Sequence, residues 1–134
     1  MTYTQVGGDH YAKMGMDPFE FTTANSYDPC AMTALKYIAR HGAKHGAEDL
    51  KKARHCVQRR LELLDRYTIR RAVSAISPKT FVAVNGIDEP EATILYALHG
   101  WASVALPYEG HKERAESLMV AITALIELRY GETA

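Results

Sequence analysis

An all-α fold is what this sequence predicts, and three observations predict it. Helix-start signals recur at Asp17-Pro18, at Asp28-Pro29 and at Asp88 with Pro90, each pairing an N-cap side chain with a proline whose fixed φ suits the first turn. Apolar residues then repeat at three- and four-residue spacing in the segments that follow. A single short run, Thr80 to Val84, reads as extended.

The first sixteen residues are rich in Gly and polar groups and read as a loop or arm carrying Gly7, Gly8, His10 and Tyr11. A short helix is expected over 18–25. The next runs from Pro29 to about His41, where Gly42 stops it. Ala31, Ala34, Leu35 and Ile38 form its apolar face, and Thr33, Lys36, Tyr37 and Arg40 project elsewhere. Residues 42–46 form a turn with Lys44 and His45. A helix over 47–71 opens on Glu48 and Asp49, which complement its dipole, buries Leu50, Ala53, Val57, Leu61 and Leu64, and exposes Lys51, Lys52, His55, Arg59 and Arg66. Ser77-Pro78 and Asn85-Gly86 bound a linker holding the short strand. Helices over 89–105 and 111–130 complete the chain, the last with Ala115, Leu118, Met119, Ile122, Leu125 and Ile126 on one face. The expected organisation is therefore two helical hairpins, 1–74 with its arm and 88–134, joined by the linker 75–87. An unpaired strand and a modest core predict a homo-oligomer, with the acidic C-terminal hairpin packing on another subunit.

Charge is unevenly placed. The whole chain has 16 basic and 16 acidic residues, yet Lys36 to Arg71 holds eleven Lys or Arg against Glu48, Asp49, Glu62 and Asp65. A net +7 stretch is thus balanced by a net −7 remainder, and such segregation sustains a positive field that attracts anions. The lack of a long apolar run, or of a basic region followed by an apolar block at the N-terminus, predicts a soluble cytoplasmic protein with no membrane contact. Cys30 and Cys56 lack zinc-ligand spacing and are expected to be ordinary thiols. Metal binding by His41, His45 and His55 is disfavoured by their cationic surroundings. His99 and Trp101 are assigned to helix packing or an interface.

No phosphate loop, dinucleotide turn, H-E-x-x-H or G-x-S-x-G occurs, nor the paired E-x-x-E and E-x-x-D of a helical, magnesium-dependent pyrophosphatase. An anion site can instead be assembled from Lys36, Arg40, Lys44, Lys52 and His55, with Gly7 and Gly8 folding over it beside His10 and Tyr11. Arginine offers a planar fork, lysine a movable charge, and glycine-rich backbone a close approach to phosphate. Tyr11 or Tyr37 is placed to stack on a base. The plainer reading is a solvated outer face on amphipathic helices, with Tyr11 plugging a core edge.

Two strings, VGGDHYAKMGMDPFEF (6–21) and ALKYIARHGAKHGAEDLKKARH (34–55), resemble a small bacteriophage domain family of largely uncharacterised proteins often labelled nucleotide kinase. The shared features are His10-Tyr11, Pro18 with Phe19 and Phe21, Lys36-Tyr37 with Arg40, Lys44, and Glu48-Asp49-Leu50 with Lys52-Ala53, over about residues 5–66. The resemblance implies a nucleotide ligand. Two functions follow as expectations. One is a nucleoside monophosphate kinase with a nucleoside triphosphate as phosphoryl donor, with or without Mg²⁺, the basic residues neutralising phosphates and His10 orienting the attacking oxygen. The other is a non-catalytic oligomeric binder, a sponge for nucleotides or cyclic nucleotide signals acting against host defence. A phage origin would place it in the infected cell's cytoplasm. Nucleic acid is a less favoured partner, given the neutral total charge.

Overall fold

Helix boundaries in this chain are set by side chains that satisfy backbone groups the helix cannot. A computed structural model describes residues 14–132; Gly7, Gly8, His10 and Tyr11 lie outside the described residues. Helix α1 (Pro18–Ala24) starts where the Asp17 carboxylate accepts from Phe19 N at 2.7 Å. Helix α2 (Pro29–Arg40) starts where Asp28 Oδ1 accepts from Ala31 N at 3.0 Å. A tight 3-10 turn (His41–Ala43) leads to α3 (Ala47–Leu64), whose N-cap is Gly46 at φ +61°. A side chain there would be strained, and a Cβ would also stand 3.2 Å from the Tyr130 ring. Beyond α3 come α4 (Pro78–Asn85), α5 (Glu89–Ala102) and α6 (Tyr108–Tyr130), so six α-helices and no strand are present among the described residues.

The expected strand over Thr80 to Val84 is therefore a correction. Those residues are helical because Ser77 caps the first turn by accepting from Lys79 N, Pro78 occupies the first position, and Gly86 closes the helix in the left-handed region at φ +60°. Capping at both ends overrode the β-branched composition. Packing also rewards the helix, since Phe81 is buried with its ring centroid 4.8 Å from that of Phe21. The expected linker thus contains a helix.

Helix α3 stops at Leu64 rather than Arg71. The chain after it is held by tertiary bonds: Ala72 N donates to Ala102 O at 2.8 Å and Val73 N to Asn25 O at 2.8 Å. Asn25, fully buried, clamps Ile76 with both ends of its amide, Nδ2 to the carbonyl at 2.9 Å and Oδ1 from the N–H at 2.8 Å. These bonds satisfy a backbone that helix continuation would have carried away from the core. Helix α5 ends three residues short of the expected Ala105, and α6 begins at Tyr108 rather than His111.

The long helices surround one core in the order α2, α3, α6, α5, with α1 resting on α2 and α4 on α5. Two helical hairpins are present as expected, α2 with α3 and α5 with α6. They share a single apolar cluster, to which every helix contributes, from Phe21 and Phe81 through Leu35, Leu50 and Trp101 to Ile122. The apolar stripe of α6 lies against α3 of the same chain. No helix among the described residues is long and apolar enough to cross a membrane.

Candidate functional site

Helix α2 buries Ala31, Ala34, Leu35 and Ile38, which turns Lys36, Tyr37 and Arg40 toward the flank where α3 begins. Tyr37 is the organising side chain. Lys36 Nζ lies 4.8 Å from its ring centroid, Arg40 Cζ 4.8 Å and Lys52 Nζ, from α3, 5.6 Å. These distances fall within cation–π range, and the electron-rich ring offsets part of the repulsion among the cations. Lys36 also approaches the Phe19 ring, at 6.0 Å. Three of the residues expected to bind phosphate, Lys36, Arg40 and Lys52, are thus brought together across two helices around Tyr37. Tyr37, expected to stack on a base, carries these cations on its ring.

Counter-charges come from the first turn of α3. Arg40 Nε stands 3.4 Å from Asp49 Oδ2, and Asp49 is wholly buried. The same oxygen accepts from His45 N at 3.4 Å, which ties the turn to the helix start, while Oδ1 is buried with no hydrogen-bond partner. Arg40 was expected on an outward stripe; it faces α3 because a buried carboxylate needs a cation. Lys52 is paired with the exposed Glu48, at 3.6 Å. Burial lowers the Lys36 pKa, and the charges of Arg40 and Lys52 lower it further, against the opposing pull of Cys56 and Asp49. Lys44 is exposed in the turn before α3, and His55 is exposed on α3 one turn after Lys52. Burial raises the thiol pKa of both Cys30 and Cys56, leaving them protonated and weakly nucleophilic at neutral pH.

Not all of the basic segment is outward-facing. Arg60 is buried, its Nε donating to Asp28 Oδ2 at 2.7 Å and its guanidinium lying 4.4 Å from the Trp101 ring centroid. Arg54 Nη1 donates to Thr123 Oγ1 at 2.9 Å, joining α3 to α6.

A second polar cluster was not read from the sequence as such. His41, buried at the end of α2, has Nδ1 2.6 Å from the Tyr130 hydroxyl and Nε2 2.8 Å from Glu91 Oε2. Arg129 holds Glu91 by two bonds, Nη2 to Oε1 at 2.7 Å and Nε to Oε2 at 3.0 Å, and also stands 3.5 Å from Asp88. Burial alone would raise the Glu91 pKa, but the bonds from Arg129 and His41 outweigh it and hold the carboxyl below its ordinary value. The cluster borders a cavity of about 370 Å³ whose rim includes Gly42, Asn85 and Gly86. Both His41 nitrogens are engaged. Among the described residues no three His, Cys, Asp or Glu side chains form a group able to hold a metal ion.

Two further histidines, His99 and His111, serve packing. His99 bridges the Tyr27 hydroxyl at Nδ1 and Ser74 Oγ at Nε2, each at 2.7 Å, and burial lowers its pKa. Trp101 Nε1 donates to His111 Nδ1 at 3.0 Å inside the bundle.

Residues 6–58 match a family model described as a protein of unknown function, DUF3310. The match spans the arm, α1, α2 and most of α3, and so contains Lys36, Tyr37, Arg40, Asp49 and Lys52. No curated protein and no solved structure matches the chain.

Proposed function

We propose that this chain binds the phosphate of a nucleotide at the surface formed by Lys36, Tyr37, Arg40 and Lys52, with Lys44 and His55 at its margins. The observation that carries the reading is the convergence of three cationic side chains on one tyrosine ring. Like charges gathered this closely repel one another in the free protein. A phosphate dianion entering among them would relieve that repulsion and raise the Lys36 pKa back toward its ordinary value. The mobile ammonium groups of Lys36 and Lys52 contribute charge, and Arg40, fixed by Asp49, contributes orientation.

The nucleotide, rather than another phosphate ester, comes from the resemblance of 5–66 to bacteriophage proteins labelled nucleotide kinases. In that reading the site neutralises the acceptor phosphate, with a nucleoside triphosphate as donor, and His10 in the arm orients the attacking oxygen. The same surface would serve a homo-oligomeric binder that sequesters nucleotides without changing them. Incubating the purified protein with mixed deoxynucleoside monophosphates and a nucleoside triphosphate, with and without Mg²⁺, and analysing the nucleotides by mass spectrometry separates the two. New diphosphates assign phosphoryl transfer. Recovery of unaltered but protein-bound nucleotide assigns capture, and absence of any bound nucleotide refutes both.

A further inference from the structure

A second group of arginines borders a cavity at the opposite end of α3. The extended stretch after Leu64 and the chain between α5 and α6 enclose a cavity of about 480 Å³. Among the described residues, its lining includes Arg60, Arg70 and Arg71 and no carboxylate. The acidic partner of Arg60, Asp28, is bonded to its Nε at 2.7 Å. Arg70 and Arg71 are exposed.

Arg60 is the telling residue. It is only 2% exposed, yet its Nη1 is buried with no hydrogen-bond partner. A guanidinium donor left unmet in the interior is costly. Arg60 also lines the cavity, so an anion held there would lie beside its charge. Two further features suit an anion. Helix α6 begins at the rim with no side chain capping it, so the positive end of its dipole is open there. His111, also in the lining, has its pKa lowered by burial and by the charge of Arg60, and its Nδ1 accepts from Trp101 Nε1 at 3.0 Å, so the ring is neutral and adds no negative charge. Tyr67 and Tyr108, 65% and 37% exposed, flank the opening.

We propose that this cavity is a phosphate site, distinct from the Tyr37 surface, in which Arg60 at the inner end and Arg70 and Arg71 at the mouth hold a phosphate monoester. All of its lining residues, Arg60 included, lie beyond the segment matched by the family model. It would give the chain a specificity that the family-like half lacks.

The test is a titration of the full-length protein with inorganic phosphate, followed by amide and arginine side-chain NMR against a chloride titration at matched ionic strength. Phosphate should shift the Arg60 Nε–H and the amides of Thr68 to Arg71 and of Leu106. An Arg70→Ala/Arg71→Ala variant, altered only at exposed positions, should weaken that response about tenfold, whereas Lys36→Ala/Lys52→Ala should leave it unchanged. Absence of these shifts, equal shifts with chloride, or full persistence in the arginine variant would overturn the proposal.

Discussion

Two charged clusters flank the junction between α2 and α3, and they are built on opposite principles. Around His41, every charge has a partner: Glu91 is gripped by Arg129 and touched by His41, which in turn is bonded to Tyr130. Around Tyr37, three cations crowd one ring, and among the described residues Arg40 alone of the three has a buried counter-charge. A satisfied network fastens the end of α2 to α5 and α6 and has little left to offer a ligand. An unbalanced one spends stability to hold charge in readiness. On the proposed function, the contrast separates what holds this molecule together from what it would present to a ligand.

The largest expected effect comes from breaking the balanced cluster. Glu91→Gln leaves Arg129 and His41 without their carboxylate and should cost roughly 2–4 kcal/mol in urea denaturation, with nucleotide affinity unchanged under conditions where the variant is folded. The pH dependence follows from the same group. Because the folded state lowers the Glu91 pKa, its contribution is present above the ordinary carboxylate pKa and is lost as pH falls through the lowered value. Wild type should therefore lose stability on acidification more steeply than Glu91→Gln over that window.

Asp49→Asn should act on the boundary between the two clusters. Removing the buried counter-charge of Arg40 should destabilise the protein by about 1–3 kcal/mol and, unlike the change at Glu91, tighten nucleotide binding by making the surface more positive. Denaturation and calorimetric titration of the same preparation would read both signs. Lys36→Ala/Lys52→Ala should do the reverse, shifting stability by no more than about 0.5 kcal/mol while weakening the ligand. The smallest effect is expected from Lys36→Arg. Since Lys36 loses its proton at lower pH than an ordinary lysine, affinity in wild type should decline as pH is raised into the alkaline range, and arginine should flatten that decline.

How far the sequence disclosed this arrangement depends on the reach of each signal. Local signals were readable: the Asp-Pro starts and apolar periodicity placed α1, α2 and the two hairpins, and Lys36, Tyr37, Arg40 and Lys52 were singled out before their convergence was visible. Helix α4 was hidden because Thr80 to Val84 has strand composition, although Ser77-Pro78 and Gly86 were its start and stop. The end of α3 was not legible, since it is fixed by bonds to Asn25 and Ala102 in other elements.

Long-range pairs were the least accessible. His41 meets Glu91 and Tyr130 across 50 and 89 positions of chain, and Arg60 meets Asp28 across 32. A signal for each was nonetheless present. His41 continues the stripe of Ala34 and Ile38, and Arg60 that of Ala53 and Val57, so a polar side chain stood where the helix faces the core. Such a position calls for a buried partner, and counting charges along the segment overlooked it.

The central claim is that the crowded cations at Tyr37 are there for a nucleotide phosphate. Isothermal titration of a deoxynucleoside monophosphate into wild type and into Lys36→Ala/Lys52→Ala, at two salt concentrations, tests it most directly. Saturable binding that the double variant weakens at least about tenfold, and that salt weakens in wild type more than in the variant, is the predicted result. Equal affinity of the two proteins, or no binding by wild type, would contradict it.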